Sequence, residues 1–179
     1  MRIEIKFGGF GGQGIITMGY IAAKAIAIYD GKNAVFTPSY GPEARGGAAS
    51  SNIVISDEEI DYPYVTYPDI LVVMSQEAYE KYAPLLKEEG LLIIDEDLVR
   101  LKDGEGRVAK IPATRIAENL GKRIVANIVM LGFFTGVTKL ISYDAIKKAV
   151  LETVPAKFKE LNEKALDEGY KRGIEWQEE

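Results

Sequence analysis

The chain has 179 residues, 47% of them hydrophobic, and 27 acidic against 22 basic side chains give a net charge of −5. That length and composition suit one compact domain spanning residues 1–179, and the acidic balance leaves no electrostatic footprint for a phosphate backbone, so no nucleic-acid partner is expected. Cysteine and histidine are both absent, which excludes disulfides, thiolate ligands for zinc or iron–sulfur clusters, thiol nucleophiles and the commonest general base.

The opening MRIEIKFGG is too short and too charged for a signal peptide. No apolar run approaches the roughly 18 residues of a membrane span, so a cytoplasmic chain without a membrane partner is expected. Ile3, Ile5 and Phe7 alternate with charged residues at strand period, a glycine loop follows, and residues 15–29 read as an alanine- and isoleucine-rich helix. Asp30-Gly31-Lys32-Asn33 stops that helix; residues 34–37 form a second strand that Pro38 is expected to end. Further strands are predicted over residues 52–55, 70–74 and 91–94, the last two being continuous apolar runs typical of strands covered on both faces. Helical spacing is found over residues 76–87, from Pro112 to Leu120, and over residues 125–137, which are apolar around most of the circumference. Ser142 is a candidate N-cap for residues 143–153. A charged helix after Pro155, with Phe158, Leu161 and Ala165 at helical spacing, is expected to pack as an arm on the sheet or on a partner. Alternating strands and helices predict an α/β, Rossmann-like fold: an open, mostly parallel sheet with helices on both faces and a C-terminal helical arm.

Gly9, Gly11 and Gly14 match G-x-G-x-x-G between a predicted strand and a predicted helix, where the motif has its required context. Glycines there permit a tight turn and close approach, and the free N–H groups of a helix start favour a phosphate or carboxylate. A dinucleotide site also needs an acid closing the second strand. That strand ends in Phe36-Thr37-Pro38-Ser39, and the nearest acid, Asp30, precedes it. A free-standing nucleotide-binding enzyme and a scaffold whose glycines serve only packing both remain open. A second loop, SYGPEARGGAASS, follows this strand and is expected at the same carboxyl edge of the sheet. In it Tyr40 offers a stacking face, Arg45 a bidentate fork and Gly46-Gly47 room for close approach; a solvated Arg45–Glu43 ion pair is the plainer alternative.

Together Gly9-Phe10-Gly11-Gly12-Gln13-Gly14, Ser39-Tyr40-Gly41-Pro42-Glu43-Ala44-Arg45-Gly46-Gly47, Asp69-Ile70-Leu71-Val72 with Ser75-Gln76, Asn127 with Leu131-Gly132, and Asn162 with Ala165 span almost the whole chain. In these features the sequence resembles the gamma subunit of the 2-oxoacid:ferredoxin oxidoreductases. Ile15-Ile16-Thr17-Met18-Gly19 is most similar to the 2-oxoglutarate branch. The resemblance implies a part in oxidative decarboxylation of a 2-oxoacid, with the acyl group passing to coenzyme A and electrons to ferredoxin. It places thiamine diphosphate and iron–sulfur clusters in partner subunits of alpha, beta and delta type, with ferredoxin an indirect partner and no cofactor held tightly here. Coenzyme A is then a possible shared ligand of Gly9, Gly11, Gly12, Gln13, Gly14 and Thr17 from the first loop with Tyr40, Gly41, Glu43, Arg45, Gly46 and Gly47 from the second. No catalytic or metal-binding residue is expected in this chain, and the chain alone is expected to be inactive. The all-round apolar residues 125–134 imply a face left over for another subunit, so the isolated chain is expected to homodimerise.

Overall fold

The computed structural model describes residues 1–39 and 48–178. Strand β1 (Arg2–Gly9) leads through a 3-10 turn (Gly11–Gln13) into α1 (Ile15–Lys24), which loosens into a π-helical segment (Ala25–Tyr29). Then come β2 (Asn33–Ser39), β3 (Ala49–Ser56), β4 (Ile70–Val73), α2 (Gln76–Tyr82), β5 (Leu91–Asp95) and β6 (Arg107–Ile111). The rest is helical: α3 (Ala113–Leu120), α4 (Ala126–Thr138), α5 (Tyr143–Thr153) and α6 (Lys159–Glu175).

The six strands form one sheet in the order β2-β3-β1-β4-β5-β6. Strands β1, β4, β5 and β6 pair in parallel, and β3 pairs antiparallel with both β1 and β2. Five strands therefore run one way and β3 alone runs back, so the expected open, mostly parallel sheet holds. The reversal has a simple cause: the connection from Ser39 to Ala49 is too short for a crossover helix, and only antiparallel pairing accepts so short a link.

Pro38 does not end β2, which continues to Ser39. This strand lies at the sheet edge, where a missing N–H costs no ladder bond. The sequence reading assigns no strand to residues 107–111, because Arg107 and Lys110 interrupt the short apolar pattern of the opposite edge strand. The helix predicted over residues 76–87 ends as α2 at Tyr82 and tightens into a 3-10 turn (Ala83–Leu85) containing Pro84.

Helices cover both faces unequally. Ile5, Phe7, Ile53, Ile55, Val72 and Ile93 face the main core against α1, α3, α4 and α5. Leu71, Val73, Leu92 and Ile94 meet Ala78, Tyr79 and Tyr82 of α2 on the other face. Helix α4 is buried at every position from residue 126 to residue 136. Phe134 packs edge-to-face on Phe7 of the sheet, 5.3 Å between ring centroids, and α6 lies over the opposite side of α4. The arm therefore packs on α4 and not on the sheet. It also removes the premise for homodimerisation, since the apolar circumference of α4 is already satisfied within the chain.

Close approach of α4 and α6 depends on two glycines from each helix. A Cβ at Gly132 would stand 2.2 Å from the Leu166 carbonyl oxygen, and one at Gly169 only 1.8 Å from that of Val129. Gly136 and Gly173 are similarly confined by Tyr170 and Phe133 backbone oxygens at 2.7 and 2.6 Å.

Candidate functional site

The sheet register brings the two flanks of the second motif, Ser39 and Ala49, to the edge that carries the glycine loop. Gly9 of β1 lies opposite Ala49 of β3, and Ser39 of β2 lies opposite Ser50. The flanks of the second loop thus sit beside the glycine loop. Tyr40, Gly41, Glu43, Arg45, Gly46 and Gly47 lie outside the described residues.

Within the first loop the geometry separates glycines that shape the fold from glycines that leave room. A Cβ at Gly9 would meet Gln13 Oε1 at 2.5 Å and Ile15 Cδ1 at 2.7 Å. Gly14 is left-handed, with φ 72°, and a Cβ there would meet Asn127 Nδ2 at 2.5 Å. Both positions are demanded by the chain's own packing. Gly11 and Gly12 are exposed with open space where a side chain would begin. Gln13 is engaged internally: its Oε1 accepts from the Phe10 N–H at 2.7 Å, and its Nε2 donates to the Met74 carbonyl at 2.8 Å. Its side chain therefore ties the loop to the end of β4. Asn127 Nδ2 adds a tie to the Gly14 carbonyl at 3.3 Å. Thr17 is exposed in the first turn of α1.

Beside Gly12 and Gln13 lies a cavity of about 280 Å³, completed by Thr114, Arg123, Ile124 and Ala126. The starts of α1, α3 and α4 converge on it. Neither α1 nor α4 has a side-chain cap; each continues from a 3-10 turn, and the first N–H of α4, that of Ala126, already donates to the Arg123 carbonyl. The start of α3 is already served: Asp95, fully buried at the end of β5, accepts from the Thr114 N–H at 2.9 Å and its hydroxyl at 2.7 Å. Burial pushes the Asp95 carboxyl above its usual range, partly opposed by those Thr114 donors. Arg123, a lining residue of the cavity, has its guanidinium 3.9 Å from Glu118, and Ile124 is 74% exposed.

Sequence reading missed Thr114, Arg123, Ile124 and Asp95. All four are remote from the glycine loop in sequence, and Lys122-Arg123 ahead of an apolar helix was the one local signal. No acid of the described residues closes β2. Asp30 instead accepts from the Ser142 N–H at 2.8 Å and hydroxyl at 2.7 Å, tying the end of the first helix to the start of α5. Among the described residues no group of three or more acids could hold a metal ion, and no helix is long and apolar enough to cross a membrane.

Fold and edge define a Rossmann-like α/β protein whose glycine loop stands at the carboxyl edge of the sheet beside an open cavity. Comparison with known proteins gives that class a family. The pyruvate ferredoxin/flavodoxin oxidoreductase family matches residues 4–172. The 2-oxoglutarate synthase subunit KorC of Methanocaldococcus jannaschii is 52% identical over 95% of this chain and 93% of its own length. The pyruvate synthase subunit PorC of Methanothermobacter marburgensis is 39% identical over 95% of this chain and 97% of its own. The crystal structure of a keto/oxoacid ferredoxin oxidoreductase gamma subunit from Geobacter sulfurreducens superposes with a TM-score of 0.87 at 44% identity, covering 97% of this chain and 99% of that one. The chain belongs to the pyruvate ferredoxin/flavodoxin oxidoreductase family, as the gamma subunit of a 2-oxoacid:ferredoxin oxidoreductase.

Proposed function

We propose that this chain serves a 2-oxoglutarate:ferredoxin oxidoreductase and presents its carboxyl-edge surface to coenzyme A during acyl transfer. The observation that carries the substrate branch is the 52% identity to a 2-oxoglutarate synthase subunit, against 39% to a pyruvate synthase subunit over a similar span. Supporting the anion-accepting role is the cavity at Gly12, where open space over the glycine loop is lined by the cationic residue Arg123. A phosphate of coenzyme A would be held by the N–H groups around Gly11 and Gly12, with Arg45 of the second loop as a bidentate donor. Gly9, Gly14 and Gln13 keep the loop in shape. With no cysteine or histidine, this chain has no thiolate or imidazole ligands for an iron–sulfur cluster, so the clusters belong to companion subunits, as by the family resemblance does thiamine diphosphate, and the isolated chain turns nothing over.

The test is steady-state kinetics of the complex reconstituted from its subunits. Turnover with 2-oxoglutarate should exceed that with pyruvate or 2-oxoisovalerate, and preference for either of the others would overturn the branch. Gly12→Val grows into open space, so it should leave the fold intact while raising the KM for coenzyme A; Arg45→Ala should weaken coenzyme A use by about 1.5–3 kcal/mol. Wild-type coenzyme A kinetics in both variants would reduce the loops to packing devices.

A further inference from the structure

The amino edge of the sheet, opposite the glycine loop, carries an aromatic surface that the anion-accepting edge does not use. Between β3 and β4 the chain reads Asp57-Glu58-Glu59-Ile60-Asp61-Tyr62-Pro63-Tyr64-Val65-Thr66-Tyr67-Pro68-Asp69, with five acids and no basic residue. Tyr62, Tyr64 and Tyr67 are 56%, 59% and 57% exposed. Three large rings left in water on one short segment are unusual for a surface without a partner.

The segment is anchored at its ends and in its middle. The Met1 ammonium pairs with Asp57 at 2.7 Å, Asn33 Nδ2 donates to the Glu58 carbonyl at 3.1 Å, and Arg2 Nη2 donates to the Tyr64 carbonyl at 3.2 Å. At its far end the Lys87 N–H donates to the Pro68 carbonyl at 3.1 Å. Asp69 accepts from the Glu4 N–H and the Lys87 ammonium, each at 2.8 Å. Tyr62 and Tyr64 meet edge-to-face with ring centroids 5.6 Å apart. These ties fix the segment at both ends and at Tyr64 before anything docks, which lowers the entropic cost of association.

Charge decides what docks. Glu58, Glu59 and Asp61 are exposed around the rings. The nearby cations are engaged within the chain: Arg2 lies 5.8 Å from the Tyr62 ring centroid and 3.4 Å from Glu4, and Lys87 holds Asp69. Arg2 already stands over the Tyr62 ring, and the exposed Tyr64 and Tyr67 rings with carboxylates beside them suit further guanidinium and ammonium groups, by cation–π contact and by ion pairing; tyrosine is enriched among residues that carry interface energy. We infer that Tyr62, Tyr64 and Tyr67 with Glu59 and Asp61 form a preorganised docking surface for a basic patch on a companion subunit of the oxidoreductase. This rests on the subunit reading, and it adds a second contact surface on the edge remote from the coenzyme A site.

The experiment measures affinity of the full chain for its companion subunits at low and high salt. Two variants are used: Tyr62→Ser/Tyr64→Ser/Tyr67→Ser, and Glu59→Lys/Asp61→Lys. Because the side chains are exposed, both should unfold at the wild-type temperature. The tyrosine variant should lose at least about tenfold in affinity at either salt concentration, the scale of one interface anchor. The charge variant should lose a similar factor at low salt, with the deficit shrinking at high salt. Wild-type affinity in both variants overturns the inference while leaving the subunit reading standing. Self-association of the chain that is abolished by the tyrosine variant would reassign the patch to a second copy and also overturn it. Failure of the wild-type chain to assemble overturns both readings.

Discussion

Replacing Gly169 by alanine tests whether contact between α4 and α6 holds the C-terminal arm in place. In an exposed helix interior the change would stabilise by about 1 kcal/mol, because glycine loses more backbone entropy on folding. At Gly169 the added Cβ would stand 1.8 Å from the Val129 carbonyl oxygen, 2.8 Å from its carbon and 2.9 Å from the Phe133 nitrogen. All three are backbone atoms, which no rotamer change can move. Ordinary contact begins near 3.4 Å, so the helices must part by about 1.5 Å. A gap of about 0.5–1 Å already forfeits a quarter to a half of the dispersion energy of the facing atoms. Overpacking of this kind costs about 1–3 kcal/mol and sometimes more; backbone against backbone belongs at the upper end. After the propensity gain of about 1 kcal/mol the net loss is about 2 kcal/mol, or roughly 4–8 °C in Tm for a chain of this size. The single tryptophan, Trp176, sits at the end of α6 and packs against the core, so its fluorescence reports the arm directly. Thermal unfolding followed by Trp176 emission and by circular dichroism, with exposed Glu168→Ala as control, makes the measurement. A Gly169→Ala protein as stable as wild type, or more so, would refute the argument.

Asp95→Asn keeps an oxygen to accept from Thr114 and removes a buried ionisation. A folded-state carboxyl raised by burial contributes stability below about pH 4, the ordinary aspartate value, and that contribution is lost as pH rises through the folded value. The variant should therefore gain on wild type as pH is raised from about 4 to 7 in denaturant titrations; a flat or opposite trend would count against the assignment. Gln13→Ala removes the ties to Phe10 and Met74, costing about 1–2 kcal/mol, and should speed amide exchange at Phe10, where unchanged protection would argue against Gln13 as the loop's anchor. Ser142 both caps α5, accepting from the Ala145 N–H at 3.2 Å, and donates to Asp30. Ser142→Ala is expected to cost about 1–2 kcal/mol by chemical denaturation, and a loss well below half of that would show the cap to be dispensable.

Local pattern was enough for a large part of this molecule. Period-two alternation at Ile3, Ile5 and Phe7, apolar runs at β4 and β5, and Ser142 ahead of α5 declare their elements, because each signal lies within a few residues of what it specifies. The G-x-G-x-x-G spacing marked the strand-to-helix loop at the carboxyl edge for the same reason. Which glycines of that loop serve the fold and which leave space was settled in three dimensions, since Asn127 against Gly14 and open solvent above Gly12 are not properties of the loop's own sequence. The cavity lining from Arg123, Ile124 and Thr114 is likewise assembled by helices that return to the same edge from far along the chain. Residues 125–137 show the limit most clearly. Their all-round apolarity announced burial on every side, but not that the far side would be covered by the chain's own α6. That depended on glycines at 132, 136, 169 and 173 meeting across the two helices: each pair is spaced four apart and so marks one face of its own helix, but neither segment states that the two faces meet, and that through-space pairing determines the packing distance.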